Sequence, residues 1–217
     1  MPRIIGVFGG TFDPVHNGHV LTISELLEKL PFEKILIIPN FLPPHKESSQ
    51  VSYKHRYEMA SLAFKDISKT KVDSREYLRE GPSYAIKTVK EVISEEEGAR
   101  VVMIVGSDSF VDIHSWHKWK ELINMVDFGI MKRPDMPLSK NKKAKDLVNA
   151  EWFKKDLFED SQLNIFEIEV TPFKISSSSI REKIAKGKKI DHLVNTLVEE
   201  YIKDCLLYTS DAADERS

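Results

Sequence analysis

The segment Gly9-Gly10-Thr11-Phe12-Asp13-Pro14-Val15-His16-Asn17-Gly18-His19 joins a short apolar run to an amphipathic one. Its two leading glycines let the chain turn sharply, allow unusual dihedrals and let a ligand approach the backbone. A helix starting near Asn17 aims its N–H groups and dipole at the same place, which makes an anion site. His16 and His19 share a face of that helix start, and Gly18 between them removes a side chain that would crowd the bound group. A second constellation, Ile175-Ser176-Ser177-Ser178-Ser179-Ile180-Arg181, offers hydroxyls, helix-start N–H groups and a fixed cation, a cradle suited to a triphosphate. Ser179 with Glu182 reads as a capping box. Asp108 lies just past the apolar run "VVMIVG". It either caps the next helix or accepts from ribose hydroxyls, as acids at strand carboxyl ends do in dinucleotide folds. The chemistry implied is the handling of a nucleotide's phosphates and sugar.

Such residues need a rigid frame. The runs "RIIGVF", "KILIIP", "VVMIVG", "FGIM" and "NIFEIEV" have strand lengths and read as buried on both faces. Helical periodicities lie between and after them, at Val20, Ile23, Leu27 and Leu30, at Ala85, Val89 and Val92, and at Leu193, Leu197 and Tyr201. Strand alternating with helix predicts an α/β fold with a doubly wound parallel sheet and a ligand site at the carboxyl ends of the strands.

The bulk composition narrows the function classes. The chain has 217 residues, 41% apolar and 30% charged, enough for one domain with its own core. A formal net charge of -2 supplies no field for holding nucleic acid, so a phosphate ligand is expected to be small and held locally. No segment reads as a membrane span or a signal peptide, so a cytoplasmic protein is expected. With Cys205 as the single cysteine, neither an intrachain disulfide nor a cysteine metal site is possible. Walker-A, GxGxxG and HExxH patterns are absent. The lysine-rich 139–146 stretch reads as a solvated helix face or loop. Residues 205–217, "CLLYTSDAADERS", break the preceding periodicity and resemble an adapter-derived translation. The expected division is therefore a single domain over 1–204 and an extraneous tail over 205–217.

The His16-Asn17-Gly18-His19 tetrad resembles the T/HxGH signature of a nucleotidyltransferase superfamily, and the other motifs resemble its bacterial nicotinate-nucleotide adenylyltransferases. The resemblance spans residues 4 to about 203 and implies a Rossmann-like fold of the HxGH type. It also implies roles. His16 and His19 would contact the α-phosphate of ATP, and Lys46 of "PNFLPPHK" would lie near the phosphates. Gly9, Gly10, Thr11, Phe12, Gly106, Asp108, Ile175, Ser176, Ser178 and Arg181 would bind ATP, with His16, His19, Lys46 and Arg181 catalytic. Ser83, Tyr84 and Ala85 of "EGPSYAIKTV", with Trp116 and Arg133, would bind the nicotinate nucleotide. Ser83 read alone is a helix cap. Arg56 of "RYEM" fits the family as structural support. This chain departs from the family pattern at Ala85, where threonine is usual, at Lys87, where an acid is frequent, and at Ser178, where serine replaces threonine.

The expected reaction is adenylyl transfer from ATP to nicotinate mononucleotide in NAD biosynthesis, giving deamido-NAD and pyrophosphate. Mg2+ is expected to be carried by the ATP phosphates, with no dedicated protein metal cage. The rival expectations are a pantetheine-phosphate adenylyltransferase-like enzyme and a non-catalytic nucleotide-binding module. No nucleic-acid or membrane partner is expected, and the sequence leaves the oligomeric state open, a homodimer included.

Overall fold

The structure, a computed structural model, describes residues 2–43, 49–79, 81–133, 135–152, 154, 157–159 and 162–209. The chain runs β1 (Ile4–Gly10), α1 (Asn17–Lys29), β2 (Lys34–Pro39), α2 (Tyr53–Phe64), β3 (Thr70–Val72), α3 (Arg75–Arg79) and α4 (Ala85–Glu95) through its first half. The second half continues with β4 (Arg100–Gly106), α5 (Ser107–Phe110), α6 (Trp119–Ile123), β5 (Asp127–Met131), α7 (Lys142–Lys145), β6 (Ala150–Glu151), β7 (Ile165–Ile168), α8 (Ser177–Ala185) and α9 (Thr196–Asp204). The strands form one seven-stranded sheet in the order β3-β2-β1-β4-β5-β7-β6. All six pairings are parallel. This is the doubly wound α/β sheet expected from the sequence.

Alternation along β1 divides the core into two layers. Ile4 and Phe8 join one cluster with Ile23 and Leu26 of α1, Met59 and Phe64 of α2, Ile180 of α8 and Val198 of α9. Ile5 and Val7 point the other way, into a cluster with Val89 and Val92 of α4, Phe110 of α5 and Leu122 of α6. At the opposite end of the sheet from the site, Arg100 grips fully buried Asp127 through two bonds of 2.6 and 2.7 Å. Asp127 also accepts from the Asn164 N–H at 2.7 Å, which aligns β4, β5 and β7. The winding reverses between β1 and β4, so their carboxyl ends diverge and leave a crevice, the place where such sheets bind ligands.

Several boundaries differ from expectation. The edge strands β3 and β6 are short and not apolar, so hydrophobic patterning does not reveal them. α9 begins at Thr196, capped by Asn195 accepting from the Leu197 N–H at 2.8 Å, so Leu193 precedes the helix. α8 begins at Ser177, and its N-cap is Ser176, whose hydroxyl accepts from the Ser179 N–H at 3.2 Å. The capping box expected at Ser179 is therefore replaced by a cap three residues earlier. Among the described residues no helix is long and apolar enough to cross a membrane.

The expected boundary after Asp204 also shifts. Leu207 and Tyr208 are each 6% exposed and belong to the first core cluster, and the Tyr208 hydroxyl donates to Asp13 at 2.7 Å. Residues 210–217 of the expected tail lie outside the described residues. Ending the chain at Asp204 should therefore lower stability by about 4 kcal/mol or more, from two lost apolar side chains and one buried hydrogen bond. Urea unfolding of the shortened chain checks this, and an unchanged midpoint would show that 205–209 does not pack.

Candidate active site

The turn after β1 supplies the first wall of the crevice. Gly9 and Gly10 remain extended inside the strand, and the left-handed residue is instead Phe12, at φ 52°. The expected role of the glycines changes accordingly: a Cβ on Gly10 would lie 2.9 Å from the Phe12 ring, so Gly10 makes room for that ring. The Phe12 ring in turn packs edge-on against His19, centroids 5.1 Å apart. Arg56, 1% exposed, reaches from α2 and donates to the Thr11 carbonyl at 2.7 Å. The Thr11 hydroxyl is buried without a protein partner.

The two histidines come together as their spacing predicts. His16 is the N-cap residue of α1, and its ring stacks on that of His19 with centroids 3.7 Å apart and planes inclined by 19°. The His16 N–H donates to His19 Nδ1 at 3.2 Å, so a neutral His19 carries its proton on Nε2. Burial, and secondarily the nearby Arg133 charge, pushes His16 down to about 4, so at neutral pH its ring is uncharged. Its Nδ1 is buried without a protein partner. Gly18 serves this ring: a Cβ there would stand 3.0 Å from His16 Nδ1 and 3.4 Å from Phe173, so what it spares is the histidine. The first-turn donors of α1 are less free than expected. The Asn17 N–H goes to the Leu193 carbonyl at 2.8 Å and that of His19 to the His16 carbonyl at 2.8 Å, which leaves the Gly18 N–H and the side chains as the groups for an anion.

The serine-rich motif closes over this turn. The Ser177 hydroxyl donates to the Pro14 carbonyl at 2.8 Å, and Arg181 Nη1 donates to the Asp13 carbonyl at 2.6 Å. With Ser176 capping α8, two of the four hydroxyls have structural partners, and Ser178 is exposed at the helix start. Ile175 is half-buried beside the first core cluster.

At the ends of β4 and β5 the geometry separates two groups of expected residues. Asp108 does not cap α5 and instead pairs with Arg133, Nε to Oδ1 3.2 Å. A Cβ on Gly106 would lie 2.2 Å from Asp108 Oδ1 and 3.0 Å from Arg133 Nε, so these three residues converge. Arg133 thus sits with the expected sugar-binding acid and within electrostatic reach of His16. The other group gathers at the start of α4. Tyr84 stacks on His117 with centroids 4.3 Å apart, next to half-buried Ala85, and Trp116 packs on the same core cluster as Tyr84 and Ala85. Ser83 does not cap α4, whose N-cap is Tyr84. Its hydroxyl accepts from the Phe41 and Leu42 N–H groups, both at 2.9 Å, and so braces the end of the β2 loop. Lys46 lies outside the described residues. Among the described residues no cluster of three or more His, Cys, Asp or Glu side chains could hold a metal ion.

Comparison with known proteins places this arrangement. The family described as cytidylyltransferase-like matches residues 7–183. A relative from Marinomonas sp. (strain MWYL1), named "Probable nicotinate-nucleotide adenylyltransferase", is 34% identical over 214 residues, covering 94% of this chain and 94% of its own. The chain belongs to the nicotinate-nucleotide adenylyltransferase family. A second such relative, from Geotalea daltonii, is 34% identical over 210 residues, with 94% of this chain and 97% of its own covered. The solved structure of Plasmodium falciparum nicotinic acid mononucleotide adenylyltransferase complexed with NaAD shares the fold, with a TM-score of 0.73 at 19% identity over 95% of this chain and 97% of that one. In this adenylyltransferase-family chain the sequence reading gave no role to Asp13 or His117, and Ser177, read as a cradle hydroxyl, instead bonds the Pro14 carbonyl. Asp13 lies inside the first motif, and only its contacts reveal a role.

Two outcomes follow. His16 has a folded-state pKa near 4, below the ordinary value of about 6.5, so between those values the unfolded chain binds more protons and stability rises with pH. Acidification from about pH 6.5 to 4 should cost the protein up to about 3 kcal/mol that a His16→Asn variant does not lose. The difference between their urea-unfolding free energies across that range reads this, and parallel curves would contradict it. Gly106→Ala should push the half-exposed Asp108 and Arg133 side chains apart, since both can rotate into solvent. We expect a rise in KM for ATP of about tenfold, the scale of one lost charge-assisted contact, with little change in Tm. Steady-state kinetics beside a thermal melt tests it.

Proposed function

We propose that the protein transfers the adenylyl group of ATP to nicotinate mononucleotide, giving deamido-NAD and pyrophosphate. A 5′-phosphate oxygen of the mononucleotide attacks the α-phosphorus, the bond from that phosphorus to the bridging oxygen breaks, and the electron pair leaves with pyrophosphate. The observation that carries this reading is the stacked pair His16 and His19 at the β1–α1 junction, beside Arg181 held on the same turn. Its support is membership of a family whose relatives bear this activity in their names along nearly the whole chain.

In this reading the residues act by position and charge. His19 donates from Nε2 to a non-bridging α-phosphate oxygen. His16 is neutral in the free protein, and an arriving phosphate favours its protonated form, so its buried ring gains charge only when an anion is there to match it. Arg181 and Ser178 hold the triphosphate, with Lys46 as a further cation, and Ser83 braces Phe41 and Leu42 after β2. Asp108 accepts from the ribose, and Arg133 beside it serves the phosphate side of the crevice. Tyr84, Ala85 and Trp116 receive the pyridine ring. Magnesium belongs to the ATP substrate, where it neutralises phosphate charge.

The pyridine pocket tests the substrate assignment. The Ser83 and Tyr84 N–H groups are taken by the Leu42 and Pro82 carbonyls, both at 2.9 Å, so the Ala85 N–H at the start of α4 is the donor proposed to favour a carboxylate over a neutral amide, and a charge-assisted bond of this kind is worth roughly 1.5–3 kcal/mol. Nicotinate mononucleotide should therefore exceed nicotinamide mononucleotide in kcat/KM by about tenfold to a hundredfold. Pyrophosphate release from ATP and magnesium with each mononucleotide, and with pantetheine phosphate, measures it. Release with pantetheine phosphate and with neither mononucleotide would replace this reading with the pantetheine-phosphate rival, and no release with any acceptor would favour a non-catalytic binding module. His19→Ala should lower kcat about a hundredfold or more, the usual scale for a lost transition-state donor. Near-normal turnover of that folded variant would remove His19 from the chemistry.

A further inference from the structure

A crevice that receives two polyanions is expected to be basic, yet a carboxylate lies beneath it. Asp13 is 4% exposed, and its oxygens accept from the Gln50 N–H at 2.8 Å and the Tyr208 hydroxyl at 2.7 Å. A negative charge so placed repels incoming phosphates, so it needs a compensating function, and a buried charge needs a cation. Arg181 supplies one: its Nη1 stands 3.9 Å from Asp13 Oδ2 and donates to the Asp13 carbonyl at 2.6 Å. The same Arg181 carries a buried Nε with no protein partner. A guanidinium is a rigid planar fork, so fixing Nη1 fixes the direction of every other N–H on it.

We propose that Asp13 is a positioning residue for adenylyl transfer: its carboxylate and its carbonyl hold Arg181 from two atoms of one residue and aim the remaining guanidinium N–H groups at the ATP phosphates. The contact ties two motifs that lie at opposite ends of the chain, and Ser177 bonding to the neighbouring Pro14 carbonyl at 2.8 Å makes it a two-point latch. The inference rests on the reading of Arg181 as a phosphate ligand. Arg56, reaching the same turn from α2, is held below its ordinary pKa by burial, an effect the nearby Asp13 charge partly offsets. Arg56 contacts the Thr11 carbonyl and not Arg181, so it offers a separate route by which loss of Asp13 could act through the turn itself.

Asp13→Asn separates these routes. Asparagine keeps the volume, its carbonyl oxygen can accept from the Gln50 N–H, and its amide can donate to the Tyr208 oxygen, since a phenol also accepts. Only the charge is lost. We expect D13N to raise the KM for ATP, and the Kd of Mg-ATP measured alone by calorimetry, by about fivefold or more, and to lower kcat about tenfold. The KM for nicotinate mononucleotide should stay within about twofold. Partial unfolding would lower kcat and leave every KM unchanged, so this split reports positioning. In an Arg181→Met background the same substitution should change the Kd of Mg-ATP by less than about twofold, because the group it aims is gone. An unchanged Kd in D13N, or an equal change with and without Arg181, would overturn the proposal. Absence of pyrophosphate release by the unmodified protein would instead refute the adenylyl-transfer reading and leave the Kd comparison to decide the role of Asp13.

Discussion

The turn from Thr11 to Pro14 is held by hydrogen bonds to its own carbonyls, and the rest of the site hangs from it. Arg56 takes the Thr11 carbonyl, Arg181 that of Asp13 and Ser177 that of Pro14. Three donors from two distant helices thus fix one short loop, and the loop fixes Phe12, whose ring supports His19. The sheet makes the arrangement possible. Reversal of winding between β1 and β4 opens the only kind of crevice that a parallel sheet buried on both faces can offer, at its carboxyl ends.

Electrostatics then decide how such a site can be both stable when empty and attractive to anions. Surplus positive charge in a buried loop costs solvation energy, and the protein limits it in two ways. Burial keeps His16 uncharged in the free protein, and Asp13 offsets the charges of buried Arg56 and half-buried Arg181. Arg133, which remains half-exposed, already has a carboxylate partner in Asp108. Phosphate oxygens can take the place of such partners, so binding exchanges one set of charge-assisted bonds for another without exposing a bare buried cation.

The core and the outline of the candidate site are legible in the sequence, because β1, β2, β4 and β5 are continuous apolar runs and the ends of β1, β4 and β5 carry Gly9-Gly10, Gly106 and Arg133. Edge strands β3 and β6 are not, since an edge needs no apolar run and each is only a few residues long. Local spacing placed the cap of α8 at Ser179, and geometry moved it to Ser176, because any serine in a run of four satisfies the same pattern. The sequence assigns Gly9 and Gly10 to unusual dihedrals and ligand approach and Gly18 to space at a bound group, whereas in the structure Gly10 and Gly18 make room for the rings of Phe12 and His16. That difference depends on contacts between residues and has no sequence signal. The same holds for Tyr208, which reads as part of a foreign tail and packs onto Asp13.

Direct attack of one substrate on the other, with the protein supplying only position and charge, is the central claim. The stereochemical course at the α-phosphorus tests it without reference to any mutation. ATP made chiral at that phosphorus by sulfur and oxygen isotopes, reacted with nicotinate mononucleotide and magnesium, should give a dinucleotide of inverted configuration, the mark of a single in-line displacement. Retention would mean two displacements through a covalent adenylyl-enzyme, with His16 or His19 as nucleophile, and would contradict the mechanism.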